Sequence, residues 1–580
     1  MTSPANNTNE PKIYYWIILI GLLIFSLTTG IIGYQNYFIQ ERQGFDWFRT
    51  LYCTLQLFVF ENGDLPGHIP WELQAARFVA PLTAVMTLIM AFLEIFREQL
   101  SRFKIARMKN HVVIIGFGIK GLNIMEENLH NREKILIIEK DPLNPHLASI
   151  KPPACHLLTG DADNRNILKK ARIAEAKAVF LLMGDDAKQV SACLMIYKLI
   201  KESRRDENKP LNCVMHLQKQ DFLNTMRSHN LVQNKKDGFT LSIFNVYENS
   251  ARQLFKDNPP DRKGIASDSE NYINIIILGF GNTGEALALQ TALTGHYLNG
   301  RKPQVVIFDR IAKNKVTDFL TRYPTYQEYS DLKYEDMDAN SPQMIPRVAE
   351  YLEDPRAINT LVLCMENKTQ NLLLGLELEG LKLEGMTEPL QIFARTNDNE
   401  SLLTLSREIK PYGMPSKVCS QEVIIGGDLD RNARAIHENY LRMRRLCSDF
   451  GTNEADVNWE NLSQEFRDSN RKAADHLGVK IRGIGCCIVS AEDPRPAVIF
   501  SEEEIEKLSE LEHRRWNAER SLAGWSYSER KSIKTKKTPY LIDWKNLSEQ
   551  IREFDRDSVR NITGVLDLEG LKAVRRATAE

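Results

Sequence analysis

The sequence predicts a membrane α-helical part, two spans plus a re-entrant helix, followed by α/β: two Rossmann-like doubly wound domains and a mostly α-helical C-terminal domain. Three observations predict this. From Ile13 to Gln40 there is not one charged residue. The pattern GxGxxG occurs twice, 163 residues apart, each time behind an apolar run. Past residue 430 that alternation gives way to long helical stretches.

Composition sets the outer limits. The 580 residues hold 75 Lys and Arg against 76 Asp and Glu, a net charge of -1. This excludes a generally basic nucleic-acid binder and an acidic tail, so no nucleic-acid partner is expected. The mean hydropathy of -0.34 excludes a transporter filling the whole chain. The 9 cysteines include no CxxC pair, so neither a disulfide scaffold nor a metal site is expected. Cys486 and Cys487 are adjacent and read as buried thiols.

After a tail over 1–11, a first span is expected over 12–36. Its apolar run is too long for a signal peptide and ends in Tyr34 and Tyr37 rather than at a small-residue cleavage site. A second span is expected over 71–97, with Pro81 in its first turns and Arg77 and Glu94 near its ends. A buried soluble helix is the competing reading of that segment. The linker 98–109 carries Arg102, Lys104, Arg107 and Lys109, an excess that belongs in the cytoplasm. Both chain ends are then cytoplasmic, in a plasma or cell inner membrane, and 37–70 faces outside. Within it, 45–60 is too apolar for a loop and short for a span, which suggests a pore-like helix. Glu61 and Asp64 follow it. In a symmetric oligomer they would form rings of negative charge that favour cations. The alternative is an amphipathic helix on the membrane surface with solvated acids.

The first Rossmann-like domain is expected over 110–258. Val112–Ile115 reads as a strand buried on both faces. Gly116, Gly118 and Gly121 follow, allowing a tight turn and close approach of backbone amides to a phosphate. A second apolar strand ends in Glu139, placed to bind ribose hydroxyls. Gly160 and Asp161 end a third. After a polar linker over 259–270, the pattern returns over 271–429 with Gly279, Gly281, Gly284 and Asp309. No clear counterpart of Gly160-Asp161 follows, and Tyr334-Glu335-Asp336 is the nearest candidate.

These residues carry a resemblance. Gly116–Gly121, the strand ending at Glu139, Gly160-Asp161-Ala162-Asp163 and Arg172–Asp186 resemble the TrkA-N or RCK domain of potassium-transport regulators. That resemblance implies NAD(H) or an adenine nucleotide as ligand, coupled to ion transport rather than to redox chemistry. Two spans followed by tandem domains of this type resemble ligand-gated potassium channels with a cytoplasmic gating ring, which implies a homotetramer in lipid. The sequence lacks the TVGYG string of the potassium filter, which leaves the permeant ion open.

A helical connector is expected over 430–457 and a further domain over 458–580. Ser501 and Glu504 form a capping box at the head of a long helix. Asn470-Arg471, Glu512-His513, Trp516, Gly524-Trp525, Pro539, Trp544 and Asp555-Arg556 resemble the ryanodine-receptor-type repeat. Glu512, His513, Trp516, Trp525 and Trp544 are the ligand candidates there, with Arg514, Arg515, Arg520, Arg530 and Lys531 available to phosphate. Against this stands a core role for each Trp and a structural hydrogen bond for His513. No nucleophile–base constellation stands out, so no catalytic residue and no enzyme activity is expected. The reading is a nucleotide- or ligand-gated cation channel with a sensor domain at its C-terminus. The alternative is a non-conducting membrane-anchored nucleotide sensor, or a regulatory subunit of a potassium transport system. A soluble dehydrogenase would rest on fold alone.

Overall fold

The computed structural model describes residues 10–44, 46–61, 65–227, 237–381, 389–396, 406, 408–424, 427–446, 448 and 450–576. The N-terminal part, grouped with Lys151–His156, and the remainder form separate compact units.

The N-terminal unit contains helices Glu10–Gln40, Trp47–Gln56 and Trp71–Ile95, the second extended by a 3-10 turn over Leu57–Val59. The first and third are long and apolar enough to cross a membrane by length and composition. They meet at Gly33, where a Cβ would lie 2.5 Å from the Leu73 amide nitrogen, and Gly30 lets the short helix approach, since a Cβ there would strike the Thr54 side chain. Tyr34, Tyr37, Phe38, Leu57, Leu73, Ala76 and Ala80 pack around this crossing. Tyr37 Oη donates to the Pro66 carbonyl at 2.8 Å, which ties the returning chain to the first helix. Asp46 caps the short helix by accepting from the Phe48 amide. Outside the crossing, Ile17, Ile20, Ile24, Phe78, Leu88 and Phe92 are exposed. Glu61 is exposed just past the 3-10 turn, and Asp64 lies outside the described residues. The basic linker is itself a helix, Arg97–Ala106.

The remainder is built on two six-stranded sheets. The first contains β1 (Val112–Ile115), β2 (Ile135–Glu139), β3 (Cys155–Thr159), β4 (Ala178–Leu181), β5 (Leu211–His216) and β6 (Phe239–Phe244), in the order β3-β2-β1-β4-β5-β6. The second contains β7 (Tyr272–Leu278), β8 (Gln304–Asp309), β9 (Asp331–Asp336), β10 (Ala357–Leu363), β11 (Gln391–Arg395) and β12 (Ile409–Tyr412), in the order β12-β11-β10-β7-β8-β9. Counted from each first strand, both orders are 3-2-1-4-5-6, and β1 and β7 each pair in parallel with both neighbours. This order reverses direction beside the first strand and opens a crevice at the strand ends, where such sheets bind ligands. The apolar runs become central strands: every residue of β1 and of β10 is buried.

The C-terminal region holds a repeat that the sequence reading does not separate out. Helix Arg431–Arg444, a 3-10 turn at Trp459–Asn461 and helix Gln464–Gly483 form one copy. Helix Glu502–Leu522, a turn at Trp544–Asn546 and helix Glu549–Arg560 form the other. In each, a histidine ring nitrogen meets the carbonyl two residues before the tryptophan: His437 to Val457 at 2.7 Å, His513 to Ile542 at 2.8 Å. Each histidine also stacks at 5.9 Å on the aromatic ring three residues on, Tyr440 or Trp516. In each, an arginine eight residues past the tryptophan donates from Nε to its carbonyl at 3.1 Å, Arg467 to Trp459 and Arg552 to Trp544. An arginine four further on pairs with an acid seven residues before the histidine, Arg471 with Asp430 and Arg556 with Glu506. The stretch expected to be a connector thus begins the first copy. The antiparallel pair β13 (Cys486–Ser490) and β16 (Leu571–Arg575) completes the region.

The first of these copies also docks onto the sheets. Arg252, on helix Val246–Asp257, donates to Asp475 at 2.8 Å and lies 3.5 Å from Asp430. Arg227 reaches Asp468, and Gln290 reaches Asp475. The linker expected to be merely polar is held as well: Asp261 is buried and accepts from Arg482 at 2.7 and 2.8 Å. Burial pushes the Asp430 carboxyl up, but Arg471 and Arg252 reverse that and hold it at about 2.

Candidate functional site

Both glycine loops close in the same way. Gly116 and Gly279 take positive φ of 87° and 96°, which the turn out of the strand requires and which a side chain would resist. A Cβ on Gly121 would lie 2.8 Å from the Gly116 oxygen, and one on Gly284 2.5 Å from the Gly279 oxygen. Helices Ile119–His130 and Asn282–Thr294 start at Gly118 and Gly281, neither of which offers a capping side chain. Their first N–H groups therefore point into the crevice unpaired by a cap.

The acid at the end of the second strand braces each loop. Glu139 Oε2 accepts from the Phe117 amide at 2.8 Å, and Asp309 Oδ2 from the Phe280 amide at 2.8 Å. Glu139 also accepts from the Lys140 and Asp141 amides and from Asn144 Nδ2. Asp309 instead adds an ammonium, Lys315 Nζ at 2.7 Å. Burial pushes Asp309 up, but Lys315 and the Phe280 and Ile311 amides outweigh it and hold the carboxyl below its usual range.

The third strand corrects the sequence reading. Gly160 N donates to the Glu139 carbonyl at 2.9 Å, and in the second copy it is Met337 N that donates to the Asp309 carbonyl at 2.9 Å. The counterpart of Asp161 is therefore Asp338, not a member of Tyr334-Glu335-Asp336, which lies within β9. Asp161 and Asp338 each accept from the amide two residues on. Each also faces the cation that follows the bracing acid, Lys140 at 2.8 Å and Arg310 at 3.8 Å. The lysine contact lowers the Asp161 pKa. The signal was in the strings GDAD and MDAN, hidden by the change from glycine to methionine.

A cleft of about 950 Å³ opens at the second glycine loop, lined by Gly279, Gly281, Thr283, Asp309, Asp338 and Arg395 among others. Gln218 and Tyr247 of the first copy also line it. A second opening of about 470 Å³ shares Gln218, Tyr247 and Asn282. In the first copy, the positions of Thr283 and Arg395 are held by Lys120 and His216, with Nζ 3.1 Å from Nδ1. Burial lowers the pKa of both groups.

In the C-terminal region, Glu512 sits in the interior between Lys480 at 2.5 Å and Arg515 at 2.8 Å. Burial raises its pKa, and Arg515 and Lys480 more than reverse the shift. His513 is buried between the Ile542 carbonyl and Asp555. Trp544 is buried too, with Nε1 donating to Glu506 at 3.0 Å. Trp516 and Trp525 are half-buried on either side of the Arg520 guanidinium, 5.6 and 5.1 Å from their ring centres. The structure thus brings Trp516 and Trp525 together, and commits Glu512, His513 and Trp544 to contacts within the fold.

Comparison with known proteins follows the same division. The family model of the TrkA-N domain matches residues 112–227, and that of the RyR domain matches residues 500–573. The chain carries both domains. It is 32% identical over 191 residues to a protein of Methanothermus fervidus, covering 31% of this chain and 29% of the relative. It is 33% identical over 108 residues to potassium channel protein 1 of Methanocaldococcus jannaschii, covering 19% of this chain and 32% of the relative. The chain thus spans about a third of the length of the curated relatives it matches. Among solved structures it resembles GsuK bound to ADP, at 15% identity and a TM-score of 0.38, covering 71% of this chain and 97% of that one. The GsuK channel bound to NAD gives 12% identity and a TM-score of 0.38, covering 85% and 87%. Similarity at that level speaks to neither site nor ligand.

Proposed function

We propose that this chain is the subunit of a nucleotide-gated cation channel, with two membrane spans and a cytoplasmic gating assembly. The observation that carries the reading is the order of parts: two helices of spanning length, then two sheets whose glycine loops are each braced by an acid. The TrkA-N match and the similarity to a potassium channel protein support it. Gly279, Gly281, Gly284 and Asp309, with Asp338 added, are the proposed nucleotide residues of the second crevice, and Gly116, Gly118, Gly121, Glu139, Gly160 and Asp161 form the matching frame in the first. Glu61 and Asp64 are the proposed pore-mouth acids, and the apolar faces of the spans contact lipid and other copies of the chain, four in a closed ring. Both termini are cytoplasmic in a plasma or cell inner membrane. The RyR domain serves as a sensor through Trp516 and Trp525, and no bond is made or broken in the cycle.

Helix Arg97–Ala106 links the second span to β1 within a few residues, so a ligand that prefers one state of the sheets shifts the gate by its differential affinity. Single-channel recording in liposomes, with and without ADP and NAD, tests this. Nucleotide-dependent openings are expected. Purified protein that never conducts under any nucleotide overturns the channel reading. The missing TVGYG string favours a second reading, a non-conducting membrane-anchored sensor. A fourfold assembly in detergent supports the channel, and a monomer or simple dimer the sensor.

A further inference from the structure

We infer that the nucleotide crevice used by this chain is that of the second copy, that it takes a nucleotide carrying a diphosphate, and that both copies hold the occupant. This rests on the nucleotide reading above and goes beyond it in naming the site and how it is read.

The second crevice has the room and the donors. Its volume of about 950 Å³ lies at the upper end of the range for small-molecule sites. Thr283 stands at the second position of helix Asn282–Thr294 and is only 2% exposed. Its Oγ1 has no hydrogen-bond partner among the described residues. Buried hydroxyls are nearly always paired, so this one is set for a group that arrives from outside. A phosphate oxygen at the helix start would accept from Oγ1 and from the uncapped N–H groups together. Lys315 and Arg395 supply charge on the same wall. Because Lys315 already neutralises Asp309, an anionic ligand meets less repulsion there.

The first crevice differs at the matching positions. Lys120 takes the place of Thr283, and His216 that of Arg395. Their side chains meet at 3.1 Å, and the imidazole is fully buried. Lys120 is turned to the buried imidazole, so the first crevice lacks the unpaired hydroxyl and the guanidinium that the second presents to a phosphate.

The second crevice also has a wall that belongs to the first copy. The Arg395 guanidinium lies 5.6 Å over the Tyr247 ring. Tyr247 Oη donates to Gln218 Oε1 at 3.3 Å. Gln218 Nε2 donates to the Gly184 carbonyl at 2.6 Å, and its amide to Asp186 at 2.9 Å. An occupant touching Arg395 and Tyr247 is therefore two hydrogen bonds from the turn that ends β4, at the mouth of the first crevice. Binding in the second copy fixes the geometry of the first.

Isothermal titration calorimetry on the full-length protein in detergent, with ADP and separately with NAD as probes, tests this. One site per chain is expected. Gly281 and Gly118 have open space where a Cβ would lie and negative φ, so Asp is tolerated at either without disturbing the fold. Gly281→Asp should weaken binding at least 100-fold, while Gly118→Asp should leave it within about threefold. Thr283→Val should weaken it about tenfold. Tyr247→Ala, though in the first copy, should weaken it about tenfold as well. The converse pattern, with Gly118→Asp abolishing binding and Gly281→Asp neutral, overturns this inference and leaves the nucleotide reading standing, as do two sites per chain. If the unmodified protein binds neither probe, the nucleotide reading falls and takes this inference with it.

Discussion

In the first Rossmann copy the acid that ends the second strand, Glu139, is met by three backbone amides and Asn144. In the second, Asp309 is met by the Phe280 and Ile311 amides and by Lys315. The strand order, the turn glycines and the helix starts are alike, so the frame of the two crevices was duplicated and its electrostatics were not. The C-terminal repeats diverged in a related way. Asp430–Arg471 is buried and drawn into contact with Arg252, whereas the matching Glu506–Arg556 pair sits at the surface, with Glu506 partly exposed. In both duplications a shared acid has acquired a charged partner in one copy, Lys315 or Arg252, that its twin lacks.

The largest effect should separate the C-terminal copies. Asp430→Asn leaves Arg471 and Arg252 buried without their full counter-charge and should cost roughly 3–5 kcal/mol. Glu506→Gln at the surface pair should cost about 1 kcal/mol or less. Denaturant unfolding of the two variants, followed by tryptophan fluorescence, measures the difference. Equal losses would show that the two pairs play the same part.

Next come the glycines that the helices press against. Gly121→Ala and Gly284→Ala both put a methyl within 2.8 Å of a carbonyl oxygen, the second closer at 2.5 Å. Each should cost about 1–3 kcal/mol, with Gly284→Ala the larger. A shift in melting temperature confined to one of the two variants would break the equivalence of the loops.

How far the sequence could anticipate this varies with the range of the interaction. The apolar runs at Val112–Ile115 and Ile273–Leu278 become buried central strands, because a strand covered on both faces leaves a continuous local mark. The loop glycines and bracing acids sit at strand ends for the same reason. Asp338 stands just past Tyr334-Glu335-Asp336 and is not flagged, because the glycine that marks its twin is methionine here. The C-terminal repeat leaves only one short local mark, WENLS and WKNLS. A longer segment between the histidine and the tryptophan of the second copy breaks the period. The Lys120–His216 contact and the Arg395–Tyr247 stack join residues about a hundred or more positions apart, and no local pattern marks such pairs.

The smallest effect tests the acids themselves, and pH is the probe. Asp309 has a pKa lowered in the fold, so its ionised form is favoured by folding. That contribution is present above the unfolded value of about 3.9 and is lost as pH falls through the lower folded value. Asp309→Asn removes it and leaves Lys315 without its partner, at a cost of about 1–2 kcal/mol near neutral pH. The deficit relative to the unmodified protein should shrink as the medium is acidified below about pH 4, because both proteins then lack the charge. Glu139→Gln strands no ammonium but turns an NH2 toward donors that one carboxylate oxygen accepts, so its deficit should be of similar size and not track the Lys315 pair. Melting temperatures of the two variants and the parent between neutral pH and about pH 3 give the comparison directly. A deficit for Asp309→Asn that does not change with pH would show that the Lys315 pair contributes nothing to folding, and the electrostatic divergence of the two crevices would then have to be sought in ligand binding alone.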